Sequence, residues 1–342
     1  MNDDKNGTLQ QDPAFEKDVK KKKCNANFKR ILVTCFYVAV VVFVIFYFKD
    51  IEWSLILSVD VAWGYMFFSF IVRMAGLLIL PIAWKILLSN FGNKLSNKKL
   101  YSIYAQSWIG RYIPGKVAWL GGKIYFAVQE GIGKGVAVIS SFLDSILQVL
   151  ASMLVAAIFF FTVKQVPALD SNLITITYIA TVALIICLLP PVFNLIVGLA
   201  HRVIKRRPME STFRMGGMPI LKSTGAVALG KVLSGMAVSI IAIAVYPQIT
   251  LADFFYVIAV NCSATAIGMV AIFAPAGLGV KESLQIVMLG VVFPREIVLV
   301  IVTLASLQSI LGDLIFYFIA RVVLGFKQKP ANAEINASNA ER

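Results

Sequence analysis

The chain has 342 residues, of which 59% are hydrophobic and only 15% charged, with a mean hydropathy of +0.81. No ordinary soluble domain could bury so much apolar surface, so the composition excludes that class and makes a polytopic membrane protein the natural reading. The net charge of +14 sits mainly in the N-terminal stretch and between apolar runs, as membrane orientation requires, and nucleic acid is not an expected partner.

Residues 1–30 are polar and end in Lys20-Lys21-Lys22-Lys23, Lys29 and Arg30, which reads as a disordered basic cytoplasmic tail. The first apolar run, from about Ile31 to Phe48, follows a polar stretch too long for a signal peptide. Lys49-Asp50-Ile51-Glu52 stands where a cleavage site would be, so this run is expected as a retained span. A second span is expected from about Val61 to Leu88, returning to the basic segment Lys94 to Lys99 on the cytoplasmic side.

Leu100 to Gly135 mixes aromatics, glycines and the cations Arg111, Lys116 and Lys123. It is too charged to cross a membrane alone and too apolar for an ordinary loop. A broken or re-entrant helix, shielded by protein or lining a wet cavity, accommodates both properties. Further spans are expected from about Val136 to Phe161, Leu173 to Leu199, Ser223 to Tyr246 and Leu251 to Phe273, with a basic segment from His201 to Pro208. Then comes Pro275-Ala-Gly277-Leu-Gly279-Val-Lys281-Glu282, a short apolar piece to Phe293, and a last span from about Ile297 to Leu324. The short piece either crosses or turns back, and its length decides neither.

The expected fold is all-α: a membrane helix bundle of about seven or eight spans with two broken or re-entrant elements. Residues 31–325 form one transmembrane domain, and 326–342 a short polar tail. The offset from Pro114 to Pro275 equals that from Lys134 to Arg295. The pattern reads as two structural repeats or as chance recurrence of residues common in membrane helices, and the sequence favours neither.

A Pro-Gly break frees backbone groups, and the half-helix beyond it presents a partial positive charge. Arg111, Lys116 and Lys123 beside one break, and Lys281 beside the other, suit an anionic lipid headgroup, although a single such cation more commonly snorkels. Asp144, Lys231, Glu282 and Asp313 lie in or beside apolar spans, where ionised groups face the bundle interior with partners. Asp144 with Arg111 or Lys116, and Asp313 with Lys231, are the expected pairs, serving charge pairing or coupling. Arg73 and Lys85 rank below these, and Gly131, Gly133 and Gly135 are weak candidates for close helix packing.

HExxH, Walker and GxSxG signatures are missing, the only histidine is His201, and the four cysteines lie far apart. No catalytic residue, metal or cofactor is expected. Asp50 and Glu52 leave a polyprenyl-phosphate-sugar glycosyltransferase as a minor alternative, with surface charge the commoner explanation.

Arg111-x-x-Pro114-Gly115-Lys116 with Gly131 downstream, and Pro275-x-Gly277-Leu-Gly279-Val-Lys281-Glu282, resemble the transmembrane region of the lysylphosphatidylglycerol synthase/flippase family. The likeness runs from about residue 30 to 325; the first motif departs in carrying Val-Ala-Trp-Leu where the family has a smaller, glycine-bearing stretch. The resemblance implies a flippase-like domain handling aminoacylated or glycosylated lipids. It also implies headgroup roles for Arg111, Pro114, Gly115, Lys116, Pro275, Gly277, Gly279, Lys281 and Glu282. Two-part members add a soluble aminoacyl-transferase domain; residues 326–342 are far below domain size, so synthase activity is not expected.

The expectation is therefore a non-enzymatic lipid flippase in the cytoplasmic membrane, N-terminus inside, with membrane lipids as partners. A non-catalytic membrane partner of a glycosyltransferase or envelope-polymer pathway is the alternative.

Overall fold

The computed structural model describes residues 59–113, 117–163, 171–189, 191–192, 194–195, 216–271 and 275–322. The chain divides into Met1–Ile51 and Glu52–Arg342, and every described residue lies in the second unit. The expected tail, the first span, Asp50 and Glu52, Pro114, Gly115 and Lys116, the segment from His201 to Pro208 and the C-terminal polar tail lie outside the described residues.

The described regular structure is helical, without a strand among those residues. In chain order it comprises α1 (Trp63–Asn90), α2 (Asn97–Trp108), a 3-10 turn (Ile109–Tyr112), α3 (Val117–Gln129), α4 (Lys134–Thr162) and α5 (Ser171–Leu188). There follow α6 (Gly217–Val245), α7 (Leu251–Val270), a second 3-10 turn (Pro275–Gly277), α8 (Val280–Leu289) and α9 (Arg295–Val322). Five of them, α1, α4, α6, α7 and α9, are long and apolar enough to cross a membrane. Their outward faces carry Phe67, Phe142, Ile158, Phe161 and Phe318, all exposed. Such a belt of bare apolar side chains suits hydrocarbon and would aggregate in water.

Two segments fold into hairpins. α3 turns back along α2, with Ser107 against Gly122, and the Lys99 ammonium meets Glu130 at 2.6 Å where the two open ends lie together. α8 likewise runs antiparallel to α7: Tyr256 Oη donates to the Met288 carbonyl at 2.6 Å, Gln285 Nε2 donates to Asn261 Oδ1 at 3.2 Å, and Gly268 packs on Lys281. At about 1.5 Å per residue, α8 reaches about 15 Å, half a hydrocarbon core. The turn before it is left-handed at Ala276, Gly277 and Gly279, with φ of 52°, 77° and 84°. Gly277 is doubly constrained, since a Cβ there would also lie 2.8 Å from the Gly268 carbonyl.

The elements of the first half recur in the second. α1 and α6 pack antiparallel with reciprocal contacts: Ser69 Oγ donates to the Ala237 carbonyl at 2.7 Å, and Ser223 Oγ to the Ala83 carbonyl at 3.0 Å. The same offset separates Ser69 from Ser223, Ala83 from Ala237, Gly76 from Gly230, and the first residues of α2 and α7. Gly76 and Gly230 sit face to face, each leaving room for the other's carbonyl at under 3.0 Å from a built Cβ. Such backbone approach is how helices pair where no hydrophobic drive separates them from lipid. The offset lengthens across the second break and then holds again, so that α4 starts at Lys134 and α9 at Arg295. The halves are interleaved: α2 packs on α9 and α7 on α4. A contact in which residue i meets j while the equivalents of i and j meet in return is the signature of a two-fold axis. Because α1 and α6 are antiparallel, that axis runs across the helices.

One core cluster gathers Trp84, Leu87, Tyr104, Leu143 and Leu147 around the first hairpin; the other gathers Ile241, Tyr256, Ile258, Leu289 and Ile301 around the second. The two 3-10 turns, at the tips of the hairpins, touch each other between them.

Candidate functional site

A cavity of about 100 Å³ lies beside this meeting of tips. Four elements each contribute one cation to its wall: Arg73 from α1, Arg111 from the first tip, Lys231 from α6 and Lys281 from the first turn of α8. Trp108 and Trp119 complete the polar-aromatic side, while Gly76, Gly230 and Gly268 let the helices approach closely enough to enclose it.

Asp313, buried in the middle of α9, organises one side of this set. Its Oδ2 accepts from Tyr112 Oη at 2.7 Å and pairs with Arg111 at 3.0 Å; its Oδ1 accepts from Trp108 Nε1 at 3.0 Å and lies 3.8 Å from Arg73. Arg73 is further held by Ser309 Oγ at 2.6 Å, and the Arg111 guanidinium sits 4.9 Å from the centre of the Trp108 ring. A planar guanidinium placed this way is fixed by stacking as well as charge. The lysines differ. The nearest acceptor to Lys231 Nζ is the Met269 sulfur at 4.0 Å. Among the described residues no carboxylate lies within ion-pair distance of Lys231 or Lys281. Glu282, next to Lys281, is committed elsewhere: its carboxylate accepts from the Gly279 N–H and from Ser306 Oγ, both at 2.7 Å, capping α8 and tying it to α9.

A second charge cluster lies off this wall. Lys123 on α3 and Asp144 on α4 form an ion pair at 2.6 Å, with side chains 1% and 0% exposed. The ammonium lies 4.5 Å and 4.2 Å from the ring centres of Trp84 and Tyr104. Tyr104 Oη and Gln148 Nε2 both donate to the same Asp144 oxygen. Both side chains are buried, and the pair fastens the first hairpin to α4.

Arg111, Lys231 and Lys281, singled out in the sequence, therefore share one cavity, and Asp313 lies directly behind it. Lys123, Asp144 and Glu282 do not reach its lining; Gly277 and Gly279 shape the second tip, and Pro275 opens its turn. The expected pairings are corrected: Asp313 binds Arg111 and Arg73 rather than Lys231, and Asp144 binds Lys123 rather than Arg111. The cause is topological, because α2 is carried onto α9 of the other half while α3 folds back against α4. Gly131 and Gly133 do not mediate close helix packing, since a Cβ on either meets nothing within 4 Å; Gly131 instead takes the left-handed turn after α3, at φ 88°. Arg73, ranked low from sequence, lines the cavity. Its place in the interior of a 28-residue helix, more than two turns from either end, is the signal that separates it from snorkelling Lys85. Trp119 carried no such signal.

Comparison with protein-family models gives no match, and comparison with curated proteins gives none.

Proposed function

We propose that the protein is a flippase-like lipid transporter that holds an anionic headgroup at the junction of its two hairpin tips. The observation that carries this is the wall of four cations drawn from four elements, facing a cavity with Asp313 as the one carboxylate paired to any of them. An ionised side chain at membrane depth is costly and needs a partner, so Lys231 and Lys281 call for an anion that no described carboxylate provides.

In this reading α2–α3 and α7–α8 are hairpins entering from opposite faces; α7 is the span expected from Leu251 to Phe273, and α8 is the short piece that turns back rather than crossing. The halves are inverted repeats, with the binding site where the broken elements converge. Asp313 is a positioning residue: it fixes Arg73 and Arg111 before the anion arrives, so little ordering remains at binding. Headgroup oxygens enter the cavity while the acyl chains stay in the bilayer. The resemblance to the lysylphosphatidylglycerol synthase/flippase transmembrane region agrees with this role, and the basic segments between spans agree with a cytoplasmic membrane and an inside N-terminus.

The test is leaflet exchange of a fluorescent anionic phospholipid in proteoliposomes. Wild-type protein is expected to exchange it, and Arg111→Gln or Lys281→Gln to slow exchange at least about tenfold, the effect of losing one charge-assisted hydrogen bond, without loss of folded protein. Unchanged exchange in both variants contradicts the proposal. No exchange by the wild type supports instead a non-catalytic membrane partner of an envelope enzyme.

A further inference from the structure

The buried polar atoms that find no partner are sorted by chemistry. At the cavity wall they are Trp119 Nε1, Arg73 Nε and Arg111 Nε, all of them donors. To these the two lysines add ammonium protons that no carboxylate takes. The other unpartnered atoms, the acceptors Asp144 Oδ1, Gln148 Oε1 and Gln285 Oε1 and the Ser141 hydroxyl, all belong to residues off the wall. Among the described residues no aspartate or glutamate lines it. Trp119 is 7% exposed, and its indole N–H finds no acceptor among the described residues.

A wall whose unpartnered buried atoms and charged groups are all donors favours a group made only of acceptors. Two lysines without a carboxylate in reach among the described residues, and two arginines sharing Asp313, leave the four cations of the wall with one carboxylate between them. A phosphodiester presents two free oxygens and a single charge. A phosphomonoester presents three free oxygens and up to two charges, and a diphosphate more. An aminoacylated headgroup is the worst fit, because its ammonium would meet like charges. Arg111 already sits over the Trp108 ring at 4.9 Å. The cavity, about 100 Å³, has room for a phosphate.

Resting on the lipid-transport reading, we infer that the cargo headgroup is a terminal phosphate, a phosphomonoester or diphosphate at the end of a lipid chain, rather than an aminoacylated or otherwise capped phosphodiester.

Intrinsic tryptophan fluorescence of the full chain in nanodiscs tests this, since Trp108 and Trp119 line the site. The probes are dodecyl phosphate, methyl dodecyl phosphate, lysylphosphatidylglycerol and inorganic phosphate. Dodecyl phosphate is expected to bind at least about tenfold more tightly than its methyl diester, and lysylphosphatidylglycerol most weakly. Lys231→Gln and Lys281→Gln should each shrink the monoester-to-diester ratio, whereas Lys98→Gln on the exposed basic segment leaves it unchanged. Trp119→Phe should weaken the monoester and remove part of the signal. Equal binding of monoester and diester, or tighter binding of the aminoacylated lipid, overturns this inference while leaving lipid transport standing. Binding of none of the lipids, with no leaflet exchange in proteoliposomes, overturns both. Inorganic phosphate competing at the same concentration as dodecyl phosphate overturns the lipid source and assigns the site to soluble phosphate.

Discussion

Lys123 with Asp144, and Asp313 with its arginines, are both buried ion pairs reached from the first hairpin, yet they are built to different ends. Around Lys123 one cation meets one carboxylate, roofed by Trp84 and Tyr104 and walled off by protein. Around Asp313 a single carboxylate serves two arginines, and two more cations stand across the cavity without a carboxylate in reach. The first arrangement is closed and neutral, which makes it an internal fastening. The second is open, and among the described residues its four cations have one carboxylate between them. Buried charge by itself does not mark a functional site; buried charge left uncompensated does.

The largest effects should come from breaking the closed pair. Lys123→Met or Asp144→Leu alone strands a buried charge and should cost about 3–5 kcal/mol, whereas the double variant, apolar on both sides, should recover most of that loss. Unfolding in detergent followed by circular dichroism measures the difference; additive losses would show that the residues do not act as a pair. Next come the reciprocal serines of the two halves. Ser223→Ala removes one buried hydrogen bond across α1 and α6 and should cost about 1 kcal/mol; Ser69→Ala removes its counterpart and also the bond from Gln308 Nε2 at 3.0 Å, and should cost more. A loss at Ser223 with none at Ser69 would break the reciprocal pairing of α1 and α6. The smallest stability effects belong to the open cluster: Lys231→Gln and Lys281→Gln should change unfolding by under about 1 kcal/mol, or stabilise, because each removes an uncompensated charge. Their effect should appear in lipid exchange instead. A destabilisation as large as that of Lys123→Met would make the lysines structural and erase the contrast.

Much of the frame was readable from the chain. The apolar runs placed the long helices within a few residues, and Pro275 with Gly277 and Gly279 marked the turn before α8, because twenty-odd apolar residues and helix-breaking residues are local signals. The offset from Lys134 to Arg295 that the sequence shows is also the offset between the starts of α4 and α9. The pairing was not readable. Asp313 sits against Trp108 and Tyr112, some two hundred positions earlier, only because α2 packs on a helix of the opposite half. Lys123 read as a headgroup ligand beside Arg111, but on α3 it points to α4 and away from the tip. The unpartnered indole of Trp119 could not be foreseen, since a satisfied and an unsatisfied tryptophan look alike in sequence.

The central claim is that Lys231 and Lys281 face a cavity that an anionic lipid fills, while Lys123 is sealed. Acetylation of lysines in nanodiscs, read residue by residue by mass spectrometry with and without dodecyl phosphate, tests it most directly. The account predicts ready labelling of exposed Lys94 and Lys98 in both conditions and no labelling of Lys123 in either. Lys231 and Lys281 should label slowly without lipid and become protected when it is added. Lipid-independent labelling of Lys281 at the rate of Lys98, or protection of Lys123 in their place, would contradict it.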